Sequence, residues 1–532
     1  MDLTSLYTFP FNNIYQIFKN MIKDKFLSHP IVAAFAISFT FLFLFSPDSY
    51  THDLYGHYDS AWFFTCGKAW MNGMIPYVDF ADSKGPMLWL IYGIGYLISP
   101  CTYIGVFWLS VLLYTSILYC IYCTTHIFLD DVKTSMAVML MMMAAFFCPW
   151  YHTEIRAEDW CTFFIVMALY RIHYTLFASN GMNSKEIGRT CFVLGLGLAG
   201  TLLIKFNSTL MLGTTALYLL YALIREKKNI MVSFFWLITG FTITVLPFVL
   251  YMIIVGNIGA FIQEYFLATM QTVQSYNGLG TYIHEWLFLT YDTHYVVLFA
   301  LGLTGAWLMG RSVKKDRYFF SVSFLGFYAI AIHHSSFLHW HYLSACIFFI
   351  IWICIYVAKN VRGKVLWLTT SIVVGYSLFS NILSWGYVSH TWFFAGSEER
   401  KGYYEASSYI SQIENPMLLF YFTLDNSQGV HSHCLPATKY WALQMGATKE
   451  MEDDQNMAVK MQKADFIITD DHICPLEYSD SLFCNHGYHK IYSYSLNELT
   501  FQLYTKHDLK DYRSRLHISS FDILLKNNIL NK

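Results

Sequence analysis

Apolar runs recur along this chain at residues 30–47, 103–123, 134–149, 157–177, 191–204, 209–224, 230–255, 294–310, 318–333, 340–358 and 365–385. Runs of this length and purity predict about eleven transmembrane helices. Residues 86–99, PMLWLIYGIGYLIS, form a further apolar piece of 14 residues. As a helix it reaches roughly 21 Å, short of the roughly 30 Å hydrocarbon core. It is therefore expected as a half-helix or juxtamembrane helix.

Between the first apolar run and that piece lies a stretch of different character, residues 58–86. It places Trp62, Cys66, Ala69 and Trp70 at the i, i+4, i+7, i+8 spacing of one apolar helix face. Thr65, Lys68 and Asn72 fall on the other side. The pattern predicts a short helix lying flat on the membrane surface, with its Trp side chains at headgroup level. Gly73, Pro76 and Asp79 then turn the chain, and Asp59, Asp79, Asp82 and Lys84 bracket the stretch. Acids and a lysine gathered between membrane helices mark a candidate site.

Composition agrees with the pattern. Of 532 residues, 55% are hydrophobic, 19% aromatic and only 13% charged. That is a polytopic membrane protein. A net charge of -2 argues against nucleic acid as a partner. The twelve cysteines show no paired zinc spacing; Cys474 and Cys484 could pair if the tail faces an oxidising space. Residues 1–29 are mixed polar and lack the features of a cleavable signal peptide. Charge sets the orientation, because cytoplasmic loops are rich in Lys and Arg. Lys19, Lys23 and Lys25 precede the first span. If 86–99 does not cross, the loops around Lys133, Lys185, Arg225, Arg311 and Lys359 all fall inside, and the loop 256–293, with no Lys or Arg, falls outside. The expected layout is a cytoplasmic segment 1–29, a membrane domain 30–388 with its catalytic outer loop at 48–86, and a domain 389–532 on the outer side. In that domain, β-like runs at 417–422, 466–469, 491–494 and 501–504 alternate with helix-compatible stretches such as 438–445 and 456–463. This alternation predicts a small α/β domain.

The sequence His57-Tyr58-Asp59, then Gly67, Gly73, Pro76-Tyr77, Asp79 and Asp82-Ser83-Lys84-Gly85-Pro86, resembles the first periplasmic loop of glycosyltransferases of the GT-C fold that use polyprenyl-phosphate sugars. These include the protein O-mannosyltransferases and the aminoarabinose transferase of lipid A. The likeness covers roughly residues 30–360. In that superfamily an acid follows the first span, and an acid-x-Lys element opens a juxtamembrane helix. The resemblance implies a bacterial inner-membrane enzyme of the cell envelope that moves a hexose or pentose, with inversion, from the lipid carrier to a glycan, lipid or protein acceptor. It assigns Asp59 as general base for the acceptor hydroxyl. It assigns Lys84 to the phosphate of the leaving group, with Asp82 beside it.

A second acid element, Glu154-Ile155-Arg156-Ala157-Glu158-Asp159, opens the fourth span; Glu158 and Asp159 both match an acid at the mouth of the family's site. Between His333 and His341 stand four histidines, and His339 and Tyr342 resemble a late element that contacts phosphate or sugar. A metal site and plain interfacial histidines are the other readings of that cluster. Some GT-C relatives need a divalent metal ion and others do not; no metal ligand is assigned here. Lys205, between two spans, breaks the charge pattern and points to a polar cavity. The absence of a P-loop cradle agrees with a lipid donor rather than a nucleotide sugar. The alternative class is a transporter or flippase of lipid-linked sugars. Such proteins tend to carry internal repeats, and none stands out.

Overall fold

A computed structural model describes residues 29–46, 48–49, 58–147, 155–268, 270, 293–313, 315–333, 348–361, 363–385, 397–423, 428–442, 448–471, 476–496 and 499–509. The expected helices form. They are α1 (Pro30–Phe45), α2 (Tyr58–Met71), α3 (Pro86–Ile98), α4 (Ile104–His126), α5 (Val132–Phe146), α6 (Ala157–Phe177), α7 (Ser184–Ile204), α8 (Gly213–Arg225), α9 (Ile230–Val255), α10 (Thr293–Ser312), α11 (Tyr318–His333), α12 (Ile350–Asn360) and α13 (Lys364–Trp385). Local chemistry explains their ends. Pro30 and Pro86 occupy first-turn positions, where a missing N–H costs nothing. Asp131, Asn183 and Asn229 cap α5, α7 and α9 with side-chain oxygens. Gly256, at φ +77, ends α9 in the left-handed region.

Among the described residues, six helical segments are long and apolar enough to cross a membrane. The chain is a multi-pass membrane protein. The expected span at 209–224 opens with a 3₁₀ segment, Phe206–Leu212, before α8. The span expected at 191–204 begins earlier, at Ser184, because Asn183 caps it there. The helices at the remaining predicted spans, α1, α5, α10, α11 and α12, have apolar stretches of 17 residues or fewer. Helix α3, with 13 residues, is as short as expected. Helices α7 and α9 pack at backbone contact: a Cβ on Gly195 would lie 2.1 Å from the Leu237 carbonyl oxygen, and one on Gly240 2.1 Å from that of Phe192.

The C-terminal part adds α14 (Ser397–Ile410), β1 (Met417–Phe420), a helical turn (Gln428–His431), β2 (Leu435–Pro436), α16 (Lys449–Lys460), β3 (Phe466–Asp470), α17 (Leu476–Asn485), β4 (His489–Leu496) and β5 (Leu499–Thr505); we count the turn as α15. Sheet order is β2-β1-β3-β5-β4. Strand β1 runs parallel to β2 and β3, whereas β5 is antiparallel to β3 and β4. Alternate strand residues serve two cores. Leu418, Phe420, Phe466, Ile468 and Leu503 join the apolar cluster that continues into the membrane helices. Leu419, Ile467 and Tyr504 join Ala458, Val459 and Phe483 of α16 and α17.

The expected helix at 438–445 is a correction: residues 438–442 are turns and irregular backbone. Their polar groups are taken by other elements. The Thr438 hydroxyl and the Tyr440 N–H donate to the Asp454 carboxylate, Gln455 Nε2 donates to the Tyr440 carbonyl, and Phe420 N–H donates to the Trp441 carbonyl. The helix expected at 456–463 instead starts at Lys449, where Thr448 caps it.

Candidate active site

The loop from α2 to α3 is built by its own polar groups. The Asp79 carboxylate accepts the Ile75 N–H at 2.6 Å, so this acid shapes the turn. Tyr77 sits at φ +66, a conformation that side chains seldom adopt. Its fully buried ring lies 4.6 Å from that of Trp89 and 5.3 Å from that of Phe261. Asn257 Nδ2 holds the preceding carbonyl of Pro76 at 2.7 Å. The Tyr77 hydroxyl donates to the Lys84 carbonyl at 2.9 Å. Next, the Gly85 N–H donates to the Ile204 carbonyl at 2.9 Å. A Cβ on Gly85 would stand 2.0 Å from the Leu203 carbonyl oxygen, so only glycine permits this approach to the end of α7.

The backbone of Lys84 is thus clamped between Tyr77 and α7, just before Pro86 opens α3. Its Nζ lies 3.2 Å from Ser83 Oγ, 4.0 Å from Asp82 Oδ1 and 5.8 Å from the centroid of the Phe63 ring. The Lys84 side chain is 17% exposed and that of Asp82 1%. Of the two side chains the lysine is thus the more accessible. Asp59, in the first turn of α2, is half-buried. It stands four residues before Phe63, on the same helix face one turn away.

The start of α2 rests on the entry to α6. The Ser60 and Tyr92 hydroxyls donate to the Ile155 carbonyl at 2.8 and 3.2 Å. There the structure distinguishes the two acids that the sequence left open. Asp159 accepts the Arg156 N–H at 2.8 Å and the Tyr114 hydroxyl at 2.9 Å, and so closes the first turn of α6. Glu158, buried, forms an ion pair with Lys205. Lys205 follows Ile204, the residue that receives Gly85. The backbone contact between Gly85 and Ile204 thus joins the residue after Lys84 to the residue before Lys205, the partner of Glu158. His339, Tyr342, Glu154 and Cys474 lie outside the described residues. Among the described residues, no three His, Cys, Asp or Glu side chains gather into a metal-binding group.

The flat surface helix needs correction. Residues 61–69 of α2 are all buried. Trp62 is not at headgroup level; its ring lies 5.1 Å from that of Trp441. Trp70 donates to the Tyr251 hydroxyl at 2.8 Å. The polar side of α2 is covered by the C-terminal domain. Lys68 Nζ donates to the carbonyls of Gly429 at 2.5 Å and Ser432 at 2.8 Å, and burial pushes its pKa down. The roof extends further. The Ala81 N–H donates to the Lys439 carbonyl at 3.0 Å. Lys439 Nζ meets Glu264 Oε1 at 2.5 Å, and the Tyr440 hydroxyl donates to Glu264 Oε2 at 3.1 Å. Glu264 lies on a π-helical segment, Ile262–Ala268, that continues from the end of α9. Sequence reasoning missed Lys68, Lys439, Tyr440 and Trp441 as neighbours of this site. The one signal was Lys68, a charge inside the otherwise apolar run 61–70.

No protein-family model matches the sequence, and no curated protein matches it. Among solved structures, the chain is similar to ArnT from Cupriavidus metallidurans, determined bound to undecaprenyl phosphate. The TM-score is 0.60 at 10% identity, over 89% of this chain and 97% of that one. The chain has the GT-C fold. A match of this extent runs past the helices into the C-terminal domain, further than the loop motif alone indicates.

Proposed function

We propose that this chain is a membrane glycosyltransferase that takes a sugar from a polyprenyl-phosphate carrier and transfers it, with inversion, to an acceptor on the outer face of a bacterial inner membrane. The observation that carries this reading is the placement of Lys84. Its backbone is held at the end of α7 through Gly85, its side chain is 17% exposed, and its Nζ lies 5.8 Å from the ring of Phe63, on the same helix as Asp59. The fold is shared with a protein that binds undecaprenyl phosphate. A held cation stabilises the charge that develops on a departing phosphate. In this reading Asp59, half-buried in the first turn of α2, takes the acceptor's proton. Asp82, Glu158 and Lys205 supply the polar wall around the phosphate, with Lys205 paired to Glu158. The acceptor is a glycan, a lipid or a protein. The N-terminus lies in the cytoplasm, and the site and the C-terminal domain face outward.

The test is thermal stability of the purified protein with and without undecaprenyl phosphate. A ligand that binds only the folded state raises stability, by about 2.7 kcal/mol at a hundredfold excess over Kd. Wild type is expected to shift upward and Lys84→Ala to show little or no shift. No shift in wild type at saturating lipid would remove the reading. Asp59→Asn is expected to keep the shift and to lose turnover of an undecaprenyl-phosphate hexose. A transporter would tolerate that substitution or lose binding with it.

A further inference from the structure

We infer that the C-terminal domain holds α2 in register through Lys68 and Gly429, so that Lys68 is a positioning residue for Asp59. The claim that positioning matters for turnover rests on the transferase reading; the docking itself does not.

Lys68 is fully buried, nine residues along α2 from Asp59. Its Nζ reaches two carbonyls, those of Gly429 and Ser432, on and just after the short helix Gln428–His431, and Cys434 Sγ lies 3.9 Å away. Cys101 and His433 stand around the same cluster, with Cys101 Sγ 3.0 Å from His433 Nε2. A lysine withdrawn from water is costly unless its donors are met. Here the carbonyls of a segment more than 350 residues away meet them. The contact is also steric. A Cβ on Gly429 would lie 2.3 Å from Thr65 Oγ1, so α2 presses directly on that backbone. Thr65 and Lys68 are one turn apart on one face of α2. Together they pin the C-terminal half of the helix to the domain.

Asp59 is at the other end, about 13 Å away along the axis. Asp59 lies beside Ser60, whose hydroxyl donates to the Ile155 carbonyl at 2.8 Å; once Lys68 is released, that bond and the packing of α2 are left to set the position of the helix along its axis, and a slide of about 1 Å carries Asp59 by the same distance. Displacements of that size in a reacting constellation cost on the order of 100-fold in rate. Lys84 is held independently, by Tyr77 and the end of α7. Loosening the pin therefore moves the acid and leaves the cation in place.

The experiment compares Lys68→Met, Gly429→Ala and the pair Thr65→Ala/Gly429→Ala in the full-length protein. Thr65→Ala removes the hydroxyl that a new methyl at position 429 would strike. Backbone hydrogen exchange over 58–71 is expected to rise about tenfold or more in each single variant, with that of α4 unchanged, and to return towards wild type in the pair. Turnover of an undecaprenyl-phosphate hexose is expected to fall about 10- to 100-fold in kcat with KM unchanged, and the stability gain from undecaprenyl phosphate is expected to persist. Unchanged exchange over 58–71 would overturn the inference. So would loss of kcat together with loss of undecaprenyl phosphate binding, or a pair no better than Gly429→Ala alone. If wild type neither binds undecaprenyl phosphate nor turns the donor over, the transferase reading fails. The exchange measurements then still decide the docking.

Discussion

Glu158 and Asp159 are adjacent in the chain, yet their carboxylates have different tasks. Asp159 takes an N–H and a phenol at the start of α6, and its bonds are those of a helix cap. Glu158 faces the ammonium of Lys205, at the end of a different helix. Removing one member of a mostly buried pair leaves charge where water is scarce. Glu158→Gln is expected to cost roughly 3 kcal/mol, with part of it recovered in Glu158→Gln/Lys205→Met. Asp159→Ala is expected to cost about 1 kcal/mol, as a lost cap. Denaturant or thermal unfolding of the three variants in detergent checks both figures. Equal losses from the two acids would contradict the division of roles. The sequence could not separate the neighbours, because periodicity places both in the same first turn. Only the partners on α4 and α7 distinguish them.

At the scale of elements, one carboxylate ties the C-terminal sheet together. Asp465, just before β3, accepts the Met417 N–H at the start of β1 at 2.8 Å. It also receives His507 Nε2 at 2.8 Å and Lys506 Nζ at 3.2 Å from the chain after β5. Burial works against its ionisation, but the Met417 N–H and the His507 and Lys506 side chains outweigh it and hold the carboxyl below its ordinary value. A depressed carboxyl contributes stability that is present above its unfolded pKa of about 4 and lost as pH falls through the folded value. The domain is therefore expected to lose stability below about pH 4, and Asp465→Asn to be less stable at neutral pH with a flatter acid limb. Hydrogen exchange of β1 and β3 across that range reads the effect. The strands were legible from their apolar runs. The short β2 and the non-helical segment 437–442 were not, because their backbone bonds go to distant groups rather than to local ones.

Across the whole molecule, the C-terminal domain is a wall of the candidate site. It touches α2 at Lys68 and Trp62, the following loop at Ala81 and the π-helical segment at Glu264. These contacts close over the same loop that carries Lys84. A double-mutant cycle on Glu264→Gln and Lys439→Met is expected to show coupling of about 1–3 kcal/mol, because the pair is partly buried and in direct contact. Additive losses would mean that the domain rests on its apolar contacts alone. The convergence of the loop 58–86, the entry to α6, the segment after α9 and the C-terminal domain follows from the chain's apolar pattern. Spans of that length leave the polar loops nowhere to gather but at the membrane faces.

The sequence by itself determined which segments form apolar helices, that the one at 86–98 is short, and that a small mixed domain follows. Those outcomes depend on length and hydropathy, which are summed over local residues and need no knowledge of neighbours. It also pointed to Asp59 and Lys84, through spacing and a resemblance carried by the loop motif. Tertiary structure decided what the polar groups meet. Lys68 looked like a solvated charge and is instead the anchor of a distant domain. Asp79 looked like a site acid and is a turn-maker. Lys205 pointed to a polar cavity and pairs with Glu158. A side chain's partner is set by which helices pack together, and packing brings residues 158 and 205, or 68 and 429, into contact with no local trace in the chain.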